Sequence, residues 1–169
     1  MARTAGLWTV VLACLLPYMI GTSAQLRTNL PYQCSTRGHR VLGNPFRSVD
    51  YSATASAGKL CDKTLDRGWY RFQIYGKHAE MPTECVQVSQ CGTDAPMWLD
   101  TGGRSYPPPG ESARHVACAA WSLGARQSPQ DCCLYSFPVT VTNCGDFFVY
   151  NLLPARGCNM AYCATEGRA

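Results

Sequence analysis

Phe137-Pro138-Val139-Thr140-Val141-Thr142-Asn143-Cys144-Gly145-Asp146-Phe147-Phe148-Val149-Tyr150-Asn151-Leu152-Leu153 is the stretch that decides how this chain is read. Phe137–Asn143 and Phe147–Leu153 have the composition and period of half-buried strands. Between them, Cys144-Gly145-Asp146 makes a short turn in which Gly145 can take a positive φ. The pair is therefore predicted to be a hairpin. Pro138 is expected only at the start of its strand, because it has no N–H to donate to a ladder. Further upstream, Trp69-Tyr70-Arg71-Phe72-Gln73-Ile74-Tyr75 lies between Gly68 and Gly76 and puts Tyr70, Phe72 and Ile74 on one face. Val86-Gln87-Val88 and Met97-Trp98-Leu99 are weaker strand pieces. Long helical periodicity is absent. The expected fold class is a small β-rich, disulfide-stabilised domain of mostly antiparallel strands with long loops, with room for short helices.

Between the strand pieces, Asp100–Ser112 contains Pro107-Pro108-Pro109-Gly110, which favours extended polyproline geometry and excludes a regular ladder. It is read as an exposed surface loop rather than a Pro-rich ligand. The Ala- and Ser-rich stretch Ala53–Gly58 is another loop. His115–Ser122 fits a strand or a short helix equally well.

The N-terminus reads as an export leader. Arg3 gives a basic start, Leu7–Ile20 is apolar, and Thr22-Ser23-Ala24 is a small-residue cleavage site. The apolar stretch contains Pro17 and is shorter than a bilayer span of about 20 residues. Residues 1–24 are thus expected to be a signal peptide and residues 25–33 an N-terminal extension. Residues 34–163 form one cysteine-rich domain, and residues 164–169 a short polar tail without the hydrophobic stretch of a lipid-anchor signal. The product is expected outside the cell with no membrane anchor. Fifteen Lys and Arg face eleven Asp and Glu, a formal charge of +4. Arg37, Arg40, Arg67, Arg71, Arg104, Arg114 and Arg126 are scattered, so no basic patch points to nucleic acid.

Eleven cysteines occur, and Cys14 falls in the leader. Ten remain: Cys34, Cys61, Cys85, Cys91, Cys118, Cys132, Cys133, Cys144, Cys158 and Cys163. An even set in an exported chain implies five disulfides. None has the Cys-x-x-Cys spacing of a zinc site, and His39, His78 and His115 stand alone in sequence. No metal or other cofactor is expected. Cys132 and Cys133 are adjacent, too close for a relaxed bridge to each other, so each is expected to reach a different partner. Beyond that, spacing leaves the connectivity open.

The cysteines and the blocks between them resemble the ten-cysteine module of the uromodulin and pancreatic secretory-granule glycoprotein family. The matching blocks begin with Asn44-Pro45-Phe46-Arg47-Ser48-Val49-Asp50-Tyr51, Leu60-Cys61-Asp62 and Gly68-Trp69-Tyr70-Arg71-Phe72. They continue with Met81-Pro82-Thr83-Glu84-Cys85, Ala95-Pro96-Met97-Trp98-Leu99, Cys118-Ala119-Ala120-Trp121-Ser122 and Cys132-Cys133. Val149-Tyr150-Asn151-Leu152 and Tyr162-Cys163 complete them. The resemblance spans about Cys34 to Cys163. It implies the pairs Cys34–Cys144, Cys61–Cys158, Cys85–Cys132, Cys91–Cys163 and Cys118–Cys133. It also implies a decoy activity, in which a high-mannose glycan on the Asn of a Val-Tyr-Asn-Leu-Thr block is captured by bacterial adhesins. Here Leu153 stands where the acceptor rule needs Ser or Thr. Asn29, Asn44, Asn143 and Asn159 also lack that residue two places on, so no N-glycan and no decoy are expected. The growth-factor-like and zona pellucida modules of better-known members have no counterpart in this chain, so filament building by that route is not expected.

Catalytic motifs are missing: the chain has no His-Glu-x-x-His, Gly-x-Ser-x-Gly or phosphate loop. Paired cysteines leave no nucleophilic thiol. Asp62 with Asp66, and Glu80 with Glu84, read as turn and surface acids rather than carboxylate dyads. Asp50 and Arg71 both fall in matching blocks and read as a structural ion pair. Trp69, Trp98, Trp121, Tyr70 and Phe72 fit a sugar-binding face or packing against the disulfides, and packing is favoured. The expected function is a non-catalytic extracellular binding module whose partner is a protein or a glycan. A structural component of matrix, mucus or egg coat and a secreted toxin or host-defence effector are the alternatives. The sequence carries no signal for an oligomeric state and does not name the residues that bind.

Overall fold

A computed structural model describes residues 30–53, 58–122 and 130–167. The expected leader and the centre of the Ala53–Gly58 loop lie outside the described residues. Among the described residues nine strands form one sheet: β1 (Arg40–Leu42), β2 (Gly68–Ile74), β3 (Lys77–Glu80), β4 (Ala95–Asp100), β5 (Ser112–Ser122), β6 (Gln130–Asn143), β7 (Phe148–Leu152), β8 (Met160–Tyr162) and β9 (Thr165–Glu166). The spatial order is β8-β4-β5-β6-β7-β2-β3-β9, with β1 parallel to β2 off that path. Most ladders are antiparallel, and the helices among the described residues are three single 3-10 turns at Tyr32–Cys34, Pro45–Arg47 and Asp62–Thr64. The fold is therefore the β-rich, disulfide-stabilised domain that the period-two pattern predicts.

The hairpin at the centre of the sequence reading is β6–β7, in register from Thr140 opposite Asn151 to Asn143 opposite Phe148. Its turn closes with the Cys144 N–H donating to Phe147 O at 2.8 Å and the Gly145 N–H donating to Asn143 Oδ1 at 2.8 Å. Gly145 has φ +88°, which an L side chain rarely adopts. Alternation on β2 buries Tyr70, Phe72 and Ile74. The core between the sheet's inner faces is built from these residues with Met97, Leu99, Val139, Val141, Tyr150 and Leu152. Phe72 meets Tyr150 edge-on, with centroids 5.4 Å apart.

The two ends of the strand path belong to one segment. β8 runs parallel to β4, and only Cys163 and Ala164, both fully buried, separate it from β9, which pairs with β3. Between them the Cys163 N–H donates to Met97 O (2.9 Å) and the Ala164 N–H to Arg47 O (2.8 Å). The sheet thus curls until its edges meet in the continuous stretch Met160–Glu166. Past Cys163, where the sequence reading sets its domain boundary, the ladder continues through Glu166.

Several local expectations are corrected. Val86–Val88 is not a strand. The Gln130 side chain takes the place of a ladder there, accepting from the Val88 N–H (3.0 Å) and donating to Val86 O (3.3 Å). Pro138 sits inside β6, opposite Val116, rather than at a strand start. It is tolerated because the β7 ladder begins only at Thr140, so β6 is paired on one side at this point. His115–Ser122 resolves as strand within β5, with a register shift between Ala119 and Trp121. The Asp100–Ser112 connection is not simply exposed, since Pro107 is buried and the Asn143 carboxamide donates to its carbonyl at 2.9 Å. Tyr106 packs against Phe148, with the rings tilted and their centroids 4.5 Å apart, and tethers the same loop.

Candidate functional site

The ten cysteines among the described residues form five disulfides: Cys34–Cys144, Cys61–Cys158, Cys85–Cys132, Cys91–Cys163 and Cys118–Cys133. Their Cα–Cα distances run from 4.5 to 5.7 Å, within the relaxed range. The neighbours Cys132 and Cys133 go to Cys85 and Cys118, so one point at the start of β6 is tied both to the loop before β4 and to the adjacent strand β5. Cys91–Cys163 is fully buried and fastens the segment that closes the sheet.

The buried charges sit at the same closure. Arg47 ends the 3-10 turn Pro45–Arg47, and Asp62 opens the turn Asp62–Thr64. Arg47 donates from Nη2 to Asp62 Oδ1 at 2.7 Å and from Nη1 to Asp62 Oδ2 at 2.8 Å, a bidentate fork. Asp62 Oδ2 also accepts from the Tyr162 N–H at 2.8 Å, and Arg47 donates to Tyr162 O at 3.0 Å. The pair therefore satisfies the backbone of β8 on the side away from β4. This corrects two expectations. Asp62 is not a surface acid, because it is 3% exposed. Asp50 and Arg71 do not pair: Asp50 turns to Ser48, whose hydroxyl lies 3.5 Å away and bonds its backbone N–H at 3.2 Å. Arg71 donates to the His78 ring at 2.7 Å and stacks on Phe147 at 4.0 Å. Asp66, the other acid of the Asp62–Asp66 spacing, binds Arg40 on the surface at 2.7 Å.

The aromatic residues are mostly committed to packing. Tyr70 and Phe72 are in the core, and the Trp98 indole N–H donates to Cys132 O at 2.7 Å. Trp121 packs against the core edge and meets Tyr135. Burial pushes the phenols of Tyr150 and Tyr162 well above the ordinary tyrosine range. Tyr150 accepts from the Met81 N–H at 3.2 Å, and Tyr162 donates to Leu153 O at 2.9 Å. His115 is buried, and neither ring nitrogen closes a well-formed hydrogen bond among the described residues, although the Thr101 backbone lies near enough to favour the protonated ring. Burial first, and Arg104 second, push its pKa below the ordinary imidazole value.

Among the described residues, concavities open on the surface at several places. One of about 550 Å3 lies between Pro82–Gln87 and β9, with Glu84 and Glu166 in its walls. One of about 610 Å3 lies at the proline-rich loop, between Arg104, Tyr106, Pro108 and Phe148. The third, about 260 Å3, crosses the outer face of β6 and β7 and is lined by Arg67, Arg114, Pro138, Thr140, Asn151 and Leu153. Three of these fall on one register row, Arg114 opposite Thr140 and Thr140 opposite Asn151, which continues to Trp69. Alternation along each strand was the available signal for this row, but the register that assembles it is not visible in sequence. Among the described residues no group of His, Cys, Asp and Glu is arranged to hold a metal ion, and no helix is long and apolar enough to cross a membrane.

A family model described as Uromodulin-like matches residues 70–164. Pancreatic secretory granule membrane major glycoprotein GP2 of Homo sapiens is 39% identical over 129 residues, covering 75% of this chain and 21% of that protein. Uromodulin of Rattus norvegicus is 40% identical over 127 residues, covering 74% of this chain and 17% of that protein. The Mus musculus form of the granule glycoprotein is 36% identical over 138 residues, covering 79% and 23%. This chain spans roughly a fifth of the length of the curated relatives it matches.

Proposed function

The chain belongs to the uromodulin-like family, and from that premise we propose that it is an exported, non-catalytic module that binds an extracellular protein or glycan. The single observation that carries the reading is where the polar chemistry goes. Asp62 is held by Arg47 and the Tyr162 backbone, Asp66 by Arg40, and Arg71 by His78 and Phe147. These groups hold the frame and are not gathered around a reacting atom. What remains for a partner is the set of side chains standing outward from a sheet clamped by disulfides. Such a surface loses little freedom on binding, which favours recognition by preformed contacts.

Export is supported by the leader pattern of residues 1–24 and by the disulfides, which persist in oxidising compartments. The glycan-decoy mechanism is not proposed, because Asn151-Leu152-Leu153 lacks the acceptor hydroxyl. The test has two steps. Full-length chain produced in secretory cells is expected in the medium, with Gln25 as its first residue. That material is then screened against extracellular proteins and a glycan array at concentrations up to millimolar, with saturable binding to at least one partner expected. Retention inside the cell, or silence across both screens, would remove the proposal.

A further inference from the structure

We infer that the outer-face groove between Arg67 and Arg114 is a subsite for an acidic sugar residue, its anionic group held by the two guanidinium groups. This rests on the reading of the chain as an extracellular binding module and names the ligand class for one place on it.

Charge is the first reason. Arg67 and Arg114 come from different parts of the chain, the approach to β2 and the outward side of β5, and both line the same groove. Among the described residues neither takes part in a salt bridge, whereas Arg40, Arg47 and Lys59 each have a carboxylate within 2.7 Å. Arginine stays protonated at any physiological pH, and its planar fork matches a carboxylate or sulfate. Two such groups over one concavity favour an anion.

The floor selects a sugar over a peptide. Thr140 and Asn151 lie side by side in register, between Arg114 on one side and Trp69 on the other. A hydroxyl and a carboxamide both donate and accept, as the hydroxyl groups of a sugar ring require. Leu153 and Pro138 add apolar surface of the kind that meets a ring's C–H face. Because Leu153 breaks the acceptor motif, the Asn151 carboxamide stays unmodified and the groove uncovered. An acidic peptide binding by strand addition needs an open ladder edge. Within the groove the β6 backbone is paired on both sides at Thr140, and at the one-sided stretch before it Pro138 has no N–H to donate to an added strand. The groove, at about 260 Å3, is also below the range of roughly 300–1,000 Å3 typical of larger ligands, which suits a single ring.

The test uses the secreted full-length chain and four immobilised probes: an oligosaccharide ending in a carboxylated sugar, a sulfated counterpart, the neutral parent and an oligoglutamate peptide. Saturable binding to the carboxylated or the sulfated probe is expected, and the ratio of the two identifies the anion. The neutral parent is expected to bind at least tenfold more weakly. Arg67→Gln and Arg114→Gln are each expected to weaken acidic-probe binding about tenfold without shifting the thermal midpoint. Arg37→Gln removes the same charge from an exposed site elsewhere and should leave binding within twofold. Thr140→Glu, which places a carboxylate in the floor, is expected to abolish it. Binding that ignores both groove arginines, or that is as strong for the peptide, overturns the assignment while leaving the module reading intact. Absence of binding to these probes, with a hit elsewhere in the partner screens, does the same. Absence of any partner in every screen removes both.

Discussion

Two guanidinium–carboxylate pairs in this molecule have the same contact distance and very different surroundings. Arg47–Asp62 and Arg40–Asp66 both close at 2.7 Å. In the first, the side chains are 8% and 4% exposed; in the second, 51% and 79%. The buried pair is bidentate and also serves the backbone of Tyr162, although Arg47 Nε remains without a partner among the described residues. The surface pair leans on the Tyr70 ring, with the guanidinium 4.6 Å from its centroid, and is open to water. Distance alone does not rank them. In water an ion pair replaces good solvation with an interaction of similar strength. In the interior, losing one partner strands a charge that solvent cannot reach.

That contrast can be broken or sharpened by measurement. The largest effect is expected from Asp62→Asn, which leaves Arg47 buried without its counter-charge and should cost about 3–5 kcal/mol in urea unfolding. A loss below about 1 kcal/mol would mean that burial does not separate the two pairs. Next comes Tyr150→Phe, which removes a neutral acceptor from the buried Met81 N–H and should cost about 1–3 kcal/mol. It places an uncharged hydrogen bond on the same scale as the buried ion pair. A smaller effect is expected from acid. The His115 pKa is lowered in the folded state, so the unfolded chain binds the extra proton more readily. Its contribution to stability is complete above the ordinary imidazole pKa of about 6.5 and is lost as pH falls through the folded value. His115→Leu should flatten the decline in thermal midpoint as the medium is taken from neutral to mildly acidic, and an unchanged slope would exclude this histidine as the cause. The smallest effect belongs to Asp66→Asn, about 0–1 kcal/mol and shrinking further in high salt.

Tyrosine titration probes the interior independently. Burial raises the Tyr150 and Tyr162 phenols, so the folded state keeps both protons where an unfolded chain would begin to release them. Their contribution is complete below the ordinary phenol value of about 10 and is lost as pH rises through the folded values. Absorbance at alkaline pH should therefore show two phenols ionising together with unfolding, after the exposed ones.

The legible parts of the fold were those set by local alternation. The β6–β7 hairpin and the buried face of β2 followed from period two and from one glycine at a turn. β5 was not legible, because Ala117, Cys118, Ala119 and Ala120 blur the contrast between its faces and a register shift follows at Ala119. Val86–Val88 imitates a strand but is satisfied by one glutamine side chain. The Arg47–Asp62 pair was missed in favour of Asp50 and Arg71, because nothing local says which acid turns inward. Connectivity of the cysteines came from resemblance alone, apart from the separate destinations of Cys132 and Cys133. The groove row needed the register of four strands, which is a property of the whole sheet.

The closing segment has a consequence for the order in which the molecule is made. Three disulfides, Cys34–Cys144, Cys61–Cys158 and Cys91–Cys163, join early residues to the stretch between Cys144 and Cys163. The last strands of the sheet lie beyond most of that stretch. During synthesis, which proceeds from the N-terminus, Cys34, Cys61 and Cys91 cannot take their final partners until Cys144, Cys158 and Cys163, respectively, have been added. The domain therefore cannot be finished in instalments: until Cys163 and the strands on either side of it are present, Cys91 lacks its partner and the two edges of the sheet stay unjoined.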